Sequence, residues 1–497
     1  MTHERKPLTD NPDSLARLEA RLRRDLELLT LPPAKDWLEP RVHPEYGPVL
    51  DVAIVGAGMA GLAAAFALKC LAVRSLKVFD RAPAGFEGPW VTTARMETLR
   101  SPPELTGPAF ALSNLTFRAW FEAQFGAAAW TALYRIPRAQ WMEYLRWYRR
   151  MIDVPVENGM ELIDLGGDGE VAALTLRSAA GTEKIAARRV VLATGRDGLG
   201  GPYTPKMFHG LDRRTISHSM EDIDFSKLRG KTAGVLGAGS TATDSAAEAL
   251  EAGAARVAML VRRADLPRIN KNMGIGSAGF WNGFYRLTDA EKFAIIDYID
   301  DQATPPPRNS MLRCTRHSNF SILASCAARA VAIRNGRVLL DTTRGRLAFD
   351  HLILATGLTL DWSQRPELAS LKPHVVLWRD RFVPQGAAEY AQAEHPYVGP
   401  AFEFIAREGG APWVNRIHCF NYAANLSHGP ISGDIPAISI GAERVAQGIA
   451  GALFAEDYAH TWRRLNGWSN PELRGDEFTL EEDAGRFFAE QPVELKT

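Results

Sequence analysis

One pattern constrains this chain more than any other: an apolar strand, a glycine-rich turn and an apolar helix, and it occurs twice. The first copy runs from Asp51 to Asp80, with Gly56, Gly58 and Gly61 in the spacing G-x-G-x-x-G. Each glycine serves such a turn differently. The first permits the tight bend, the second lets backbone approach a pyrophosphate, and the third lets helix and strand pack closely. The following helix directs its unpaired N–H groups and positive dipole end at the same spot, which makes an anion site. Asp80 ends the next strand, LKVFD, about 20 residues further on, where a carboxylate accepts hydrogen bonds from a ribose.

The second copy carries Gly237, Gly239 and Ala242, with Ser240 opening its helix. The strand after that helix, RVAMLV, ends in Arg262 and Arg263 rather than in an acid. A carboxylate there repels a 2′-phosphate, whereas guanidinium groups clamp one, so NADPH is expected over NADH. Two apolar strands ending in Ala-Thr-Gly, at Arg188 to Gly195 and at Asp350 to Gly357, flank this unit. The fold class expected is therefore α/β, with two Rossmann-like dinucleotide-binding domains, the second inserted in the first.

The expected divisions are 1–48, a helical extension and proline-marked linker; 49–212, the first domain with an active-site segment at 90–150; and 213–349, the second domain. Residues 350–470 return to the first domain, and 471–497 form a tail. Within the second domain, 264–325 reads as a long loop insertion that covers the substrate or the nicotinamide, since connections of that length are usually functional. It bunches Phe280, Trp281, Phe284 and Tyr285, and offers Lys271, Asn272 and Arg308 to an anionic group.

Composition removes other classes. Fifty-eight basic residues balance 58 acidic ones, without a basic arm or stripe, so a nucleic-acid partner is not expected. Cys70, Cys314, Cys326 and Cys419 form no Cys-x-x-Cys pair, which argues against a zinc knuckle, a redox disulfide or a secreted disulfide framework, and no metal site is expected. Met1 to Asp10 lacks a signal-peptide core, so the expected compartment is the cytoplasm. Val52 to Val73 is long and apolar, yet its patterned glycines and Lys69 fit a buried strand and helix better than a membrane span.

With these two sites in this order, residues 50 to 450 resemble the class B flavin monooxygenases: flavin-containing monooxygenases, Baeyer–Villiger enzymes and siderophore-type N-hydroxylases. FDRAPAGFEGPW resembles the family's acid-Arg…Gly-Gly-x-Trp segment, with Gly88 and Trp90 fitting and Glu87 in place of a glycine. Met96, the LRSP of Leu99 to Pro102, and Ile136 to Trp147 look like segments bordering flavin and substrate. Ser427 to Ile440 is similar to the N-hydroxylase His-Gly segment. The fingerprint F-x-G-x-x-x-H is matched at Phe208 and Gly210, but Arg214 takes the histidine position and His218 follows four residues later.

The resemblance implies FAD at the first site, held by Gly56, Gly58, Gly61, Asp80, Arg81, Trp90, Met96 and Gly433. It implies NADPH at the second, held by Gly237, Gly239, Ser240, Ala242, Arg262 and Arg263. His428, Asn425 and Asp434 become the catalytic candidates. The implied reaction is oxygenation through a C4a-hydroperoxyflavin, foremost N-hydroxylation of a small amine-containing molecule. Baeyer–Villiger or carbon hydroxylation, and flavin reduction without oxygen insertion, are the alternatives. The partners expected are a small-molecule substrate and O2, with a homo-oligomer compatible.

Overall fold

The computed structural model of the protein describes residues 13–386, 389–482 and 485. Residues 1–12 of the extension and most of the tail beyond 482 lie outside the described residues. Strand Gly47–Val55 is central in the first sheet. Leu76–Asp80 and then Val156–Asn158 lie parallel on one side of it, and Gly181–Leu192 lies parallel on the other. Ala172–Ser178 and Glu161–Gly167 extend the sheet antiparallel.

Val52, Ala53 and Ile54 are buried, the continuous apolar run that a strand covered on both faces requires. Helix Met59–Cys70 is buried from Met59 to Leu68, which explains why it is apolar all round. Among the described residues, no helix is long and apolar enough to cross a membrane. Helix Asp13–Leu28 sets Leu18 and Leu22 into the same core, so the extension belongs to the first domain.

The second sheet is parallel throughout, in the order Phe320–Leu323, Arg256–Leu260, Thr232–Leu236, His351–Leu354, Ile216–His218. Strand His351–Leu354 thus pairs inside the second domain, and the expected return to the first domain at 350 moves past it. An apolar strand ending in Ala-Thr-Gly serves either sheet equally well, so its partner is not written in its own residues. The two crossings lie side by side, where Gly201–Pro202 pairs antiparallel with Leu358–Thr359. After them the chain adds Ile417–His418 parallel to Gly181–Leu192 and lays helix Ile438–Glu456 on helix Met59–Cys70. The inserted arrangement expected from the sequence is the one observed.

The stretch 264–325 is not a loop. It holds helices Lys271–Ile275, Ala278–Gly283, Asp289–Gln302 and Arg308–Thr315 before strand Phe320–Leu323. Thr288 and Glu291 form a reciprocal capping box that starts the longest of them. Helix Asp289–Gln302 buries little of its own and packs by a few aromatics, Phe293 meeting Phe382 and Tyr390, each at 5.4 Å, whereas Arg308–Thr315 buries Ser310, Arg313 and Cys314. Lys271 lies 5.4 Å over the Tyr298 ring and Asn272 donates to Thr304, so both are engaged within the insertion. Arg308 is exposed.

Candidate active site

The first glycine turn uses its three glycines for three separable reasons. Gly56 has φ +104°, and a Cβ there would sit 2.5 Å from the Ala193 carbonyl oxygen. A Cβ on Gly61 would sit 1.7 Å from the Gly56 oxygen. A Cβ on Gly58 would meet nothing within 4 Å, which leaves clear the space that a diphosphate needs over the helix N-terminus. Asp80 takes the Ala57 N–H on one carboxylate oxygen and the Ala82 N–H on the other, both at 2.7 Å. Each oxygen keeps a further lone pair for a ribose hydroxyl. Arg81 is exposed beside it.

A cavity of about 410 Å³ opens between Ala57, Gly58 and Leu62, the segment 84–87, and Met142, Leu145, Arg146 and Arg149 of the helix Arg138–Ile152. Glu87, the departure from the glycine pattern, is buried and ties that segment down. Its carboxylate accepts from Arg149 at 2.5 Å, Asn158 at 2.7 Å and the Gly85 N–H at 2.8 Å. Trp90 is half-buried, edge-on to Trp141 at 6.2 Å, and Met96 packs half-buried on the same core.

The second turn repeats the geometry. Gly237 has φ +149°, with a Cβ 2.3 Å from the Ala355 oxygen, and Gly239 again opens on empty space. Ala242 is fully buried, and Ser240 begins helix Ser240–Glu251. Each Ala-Thr-Gly therefore backs its own glycine turn, Ala193 under Gly56 and Ala355 under Gly237. The arginine pair divides: Arg263 donates to the Asp301 carbonyl at 2.6 Å, whereas exposed Arg262 has no hydrogen-bond partner among the described residues. His218 is buried at the end of strand Ile216–His218, 3.4 Å from the Thr356 hydroxyl, while Arg214 is exposed and paired with Asp212.

Between the two turns lies a cleft that the sequence did not announce. Arg196 follows the first Ala-Thr-Gly directly, and its guanidinium lies 5.6 Å over the Tyr422 ring. Arg100, Arg196, Tyr422, Gly433 and Asp434 are all solvent-exposed. Enclosure within the molecule raises the Asp434 carboxyl above the usual carboxylate range, and Arg196 and Arg100 oppose that rise. Asn421 anchors one wall: its amide donates to the Leu192 carbonyl at 3.1 Å and the Thr194 hydroxyl at 3.2 Å. Asn425 is half-buried, and its side chain has no hydrogen-bond partner among the described residues.

His428, a catalytic candidate from the sequence, is held on several sides. Its ring is buried and stacked on Phe402 at 3.9 Å. Arg444 donates to Nδ1 at 3.1 Å, and Nε2 lies 2.9 Å from the Gly399 carbonyl. A carbonyl only accepts and a guanidinium only donates, so the ring is held as the neutral Nε2–H form. Both ring nitrogens are thus engaged, which fixes the ring against this segment. Arg444 also lies 4.2 Å over Tyr285 and donates to the Trp281 carbonyl at 3.2 Å, so the insertion is locked onto this wall of the cleft.

Burial pushes both His428 and His418 down to about 3. Values depressed below the unfolded 6.5 give stability that is complete above pH 6.5 and lost as pH falls toward 3. From pH 6.5 to 5, unfolding free energy should fall by about 1.4 kcal/mol per pH unit for each ring, and the slope should lessen in His418→Asn. Denaturant titrations across that window measure it; equal slopes in the two proteins would remove His418 from the account.

The family model described as FAD-NAD(P)-binding matches residues 53–197. The FAD-dependent urate hydroxylase of Xanthomonas campestris pv. campestris is 39% identical over 465 residues, 93% of this chain and 98% of that protein. The chain belongs to that protein's family. In fold it is similar to the ornithine hydroxylase of Pseudomonas aeruginosa, with a TM-score of 0.63 at 15% identity over 82% of this chain and 100% of that one. The L-lysine 6-monooxygenase of Pseudomonas syringae superimposes with a TM-score of 0.61 at 20% identity, over 82% and 99% of the two chains. This monooxygenase is thus an FAD-dependent oxidoreductase with FAD and NAD(P) as its cofactors, and the open ground at Gly58 and Gly239 fits two dinucleotides.

Proposed function

We propose that this monooxygenase uses NADPH and O2 to hydroxylate a carbon of a small anionic heterocycle of the urate type, rather than an amine nitrogen. The observation that carries this reading is Arg196 over Tyr422, open to the cleft beside Asp434, with Arg100 close enough to act on both. A substrate ammonium would face two guanidiniums there, whereas an anionic ring stacks on the phenol and accepts a guanidinium fork on its edge. The identity to a urate hydroxylase supports the same choice, while the likeness to amine hydroxylases extends to the fold.

FAD, when held at the first glycine turn by Gly56, Gly58, Gly61 and Asp80, would supply the oxygen-activating chemistry, with NADPH at the second turn as the source of electrons. The chain supplies placement. Arg196 and Tyr422 hold the ring, and Asn425 gives its free amide to a ring carbonyl. Asp434, with its raised pKa, takes the ring N–H proton as the carbon gains its oxygen. His428 and the docked insertion keep this wall dry and rigid. The balance is substrate, O2, NADPH and a proton giving hydroxylated product, water and NADP+.

The test incubates the FAD holoenzyme with urate, and separately with ornithine and lysine, while following NADPH oxidation, O2 uptake and product. Urate should accelerate NADPH oxidation and disappear in step with O2. Arg196→Ala should raise KM for urate roughly 10- to 100-fold with flavin content unchanged. Hydroxylamine formation from an amine with urate untouched would overturn the reading.

A further inference from the structure

Arg100 belongs to the first domain, yet its side chain ends in the second. Its stem is fixed, because the Leu99 N–H donates to the Ile136 carbonyl at 2.8 Å and the Arg138 N–H donates to the Glu97 carbonyl at 3.1 Å. From there the guanidinium crosses to donate to the Ser240 hydroxyl and, at 2.6 Å, to the Pro305 carbonyl. Ser240 is the first residue of helix Ser240–Glu251, directly after Gly239, where an added Cβ meets nothing within 4 Å. A guanidinium with five N–H groups, two hydrogen bonds and an open face thus stands at the mouth of the second glycine turn.

We infer that Arg100 is the positioning residue that grips the diphosphate of the pyridine nucleotide from across the domain boundary. The surroundings agree with an anion arriving there. Burial and the neighbouring Arg196 work against the guanidinium charge, and Asp244 and Asp434 only partly offset them. A diphosphate carries two negative charges into that gap, and the helix N-terminus adds its N–H groups to the same oxygens. Arg100 and Arg262 then read different parts of one molecule. The diphosphate is common to NADPH and NADH, whereas the 2′-phosphate that Arg262 faces belongs to NADPH alone.

The experiment measures equilibrium binding to the FAD holoenzyme of NADP+, NAD+ and 2′-AMP, which has the phosphorylated ribose and no diphosphate. Arg100→Ala should weaken NADP+ and NAD+ by the same factor, about 10- to 100-fold, leave 2′-AMP unchanged, and retain full flavin. Arg100→Lys should restore part of the loss, since a point charge replaces a fork. Arg262→Ala should give the complementary result, weakening NADP+ and 2′-AMP and sparing NAD+. An unchanged Kd for NADP+ in Arg100→Ala would overturn the inference. So would a loss confined to NADP+, which would assign Arg100 to the 2′-phosphate, or an equal loss of 2′-AMP, which would mark a general disturbance. If Arg100→Ala fails to fold, Arg100→Gln keeps the chain length, and the same three ligands decide.

Discussion

Gly58→Val should give a folded protein with almost no flavin. At Gly58 the backbone has φ −69° and ψ −173°, which valine adopts freely, and an added Cβ finds no polypeptide atom within 4 Å. The chain itself therefore does not resist the change. What the new side chain displaces is the FAD diphosphate, drawn to that spot by the helix N-terminus. A steric conflict of about 3 kcal/mol lowers flavin affinity by roughly two orders of magnitude. Visible absorbance per polypeptide, read beside circular dichroism, measures both halves of the expectation. Gly61→Ala is the contrast: its Cβ would lie 1.7 Å from the Gly56 carbonyl oxygen, so that variant should lose the fold along with the flavin. Retention of flavin by Gly58→Val would mean that the diphosphate does not pass over this turn.

The second large effect concerns coenzyme choice. Strand Arg256–Leu260 delivers two adjacent arginines, but Arg263 is already bonded to the Asp301 carbonyl at the end of helix Asp289–Gln302. Arg262 is the one free to meet a 2′-phosphate. Arg262→Ala should lower kcat/KM for NADPH by ~10- to 100-fold and leave NADH within about twofold, so that the preference collapses. Arg263→Ala should leave the preference intact and loosen the insertion instead. Flavin reduction rates with each coenzyme decide the matter, and a preference that depends on Arg263 rather than Arg262 would sink this assignment.

Much of the binding apparatus was legible in the sequence because each part is local. Gly56 and Gly61 report backbone constraints within a few residues of themselves, and Asp80 and Arg262 stand at strand ends that alternation alone identifies. Glu87 was visible only as a mismatch, since its partners Arg149 and Asn158 lie 62 and 71 residues away. The insertion 264–325 read as loop because its helices meet the rest of the protein through isolated aromatics and the ion-paired Arg313 rather than a periodic apolar face. That both ring nitrogens of His428 are already bonded was not legible, because the type of a residue does not report its partners.

By itself, then, the sequence determined an α/β chain with two dinucleotide turns, their order, and the sign of charge that follows each turn's next strand. Turn geometry, helix N-termini and strand alternation are short-range properties, and short-range properties are written in short stretches of residues. The tertiary structure alone decided that His351–Leu354 pairs in the second sheet, that Arg100 reaches Ser240 across the domain boundary, and that Arg196, Tyr422 and Asp434 share one cleft. Those contacts join residues more than a hundred positions apart, and no local propensity selects one such pairing over another. Only the burial of the two cores, acting on the whole chain at once, brings them together.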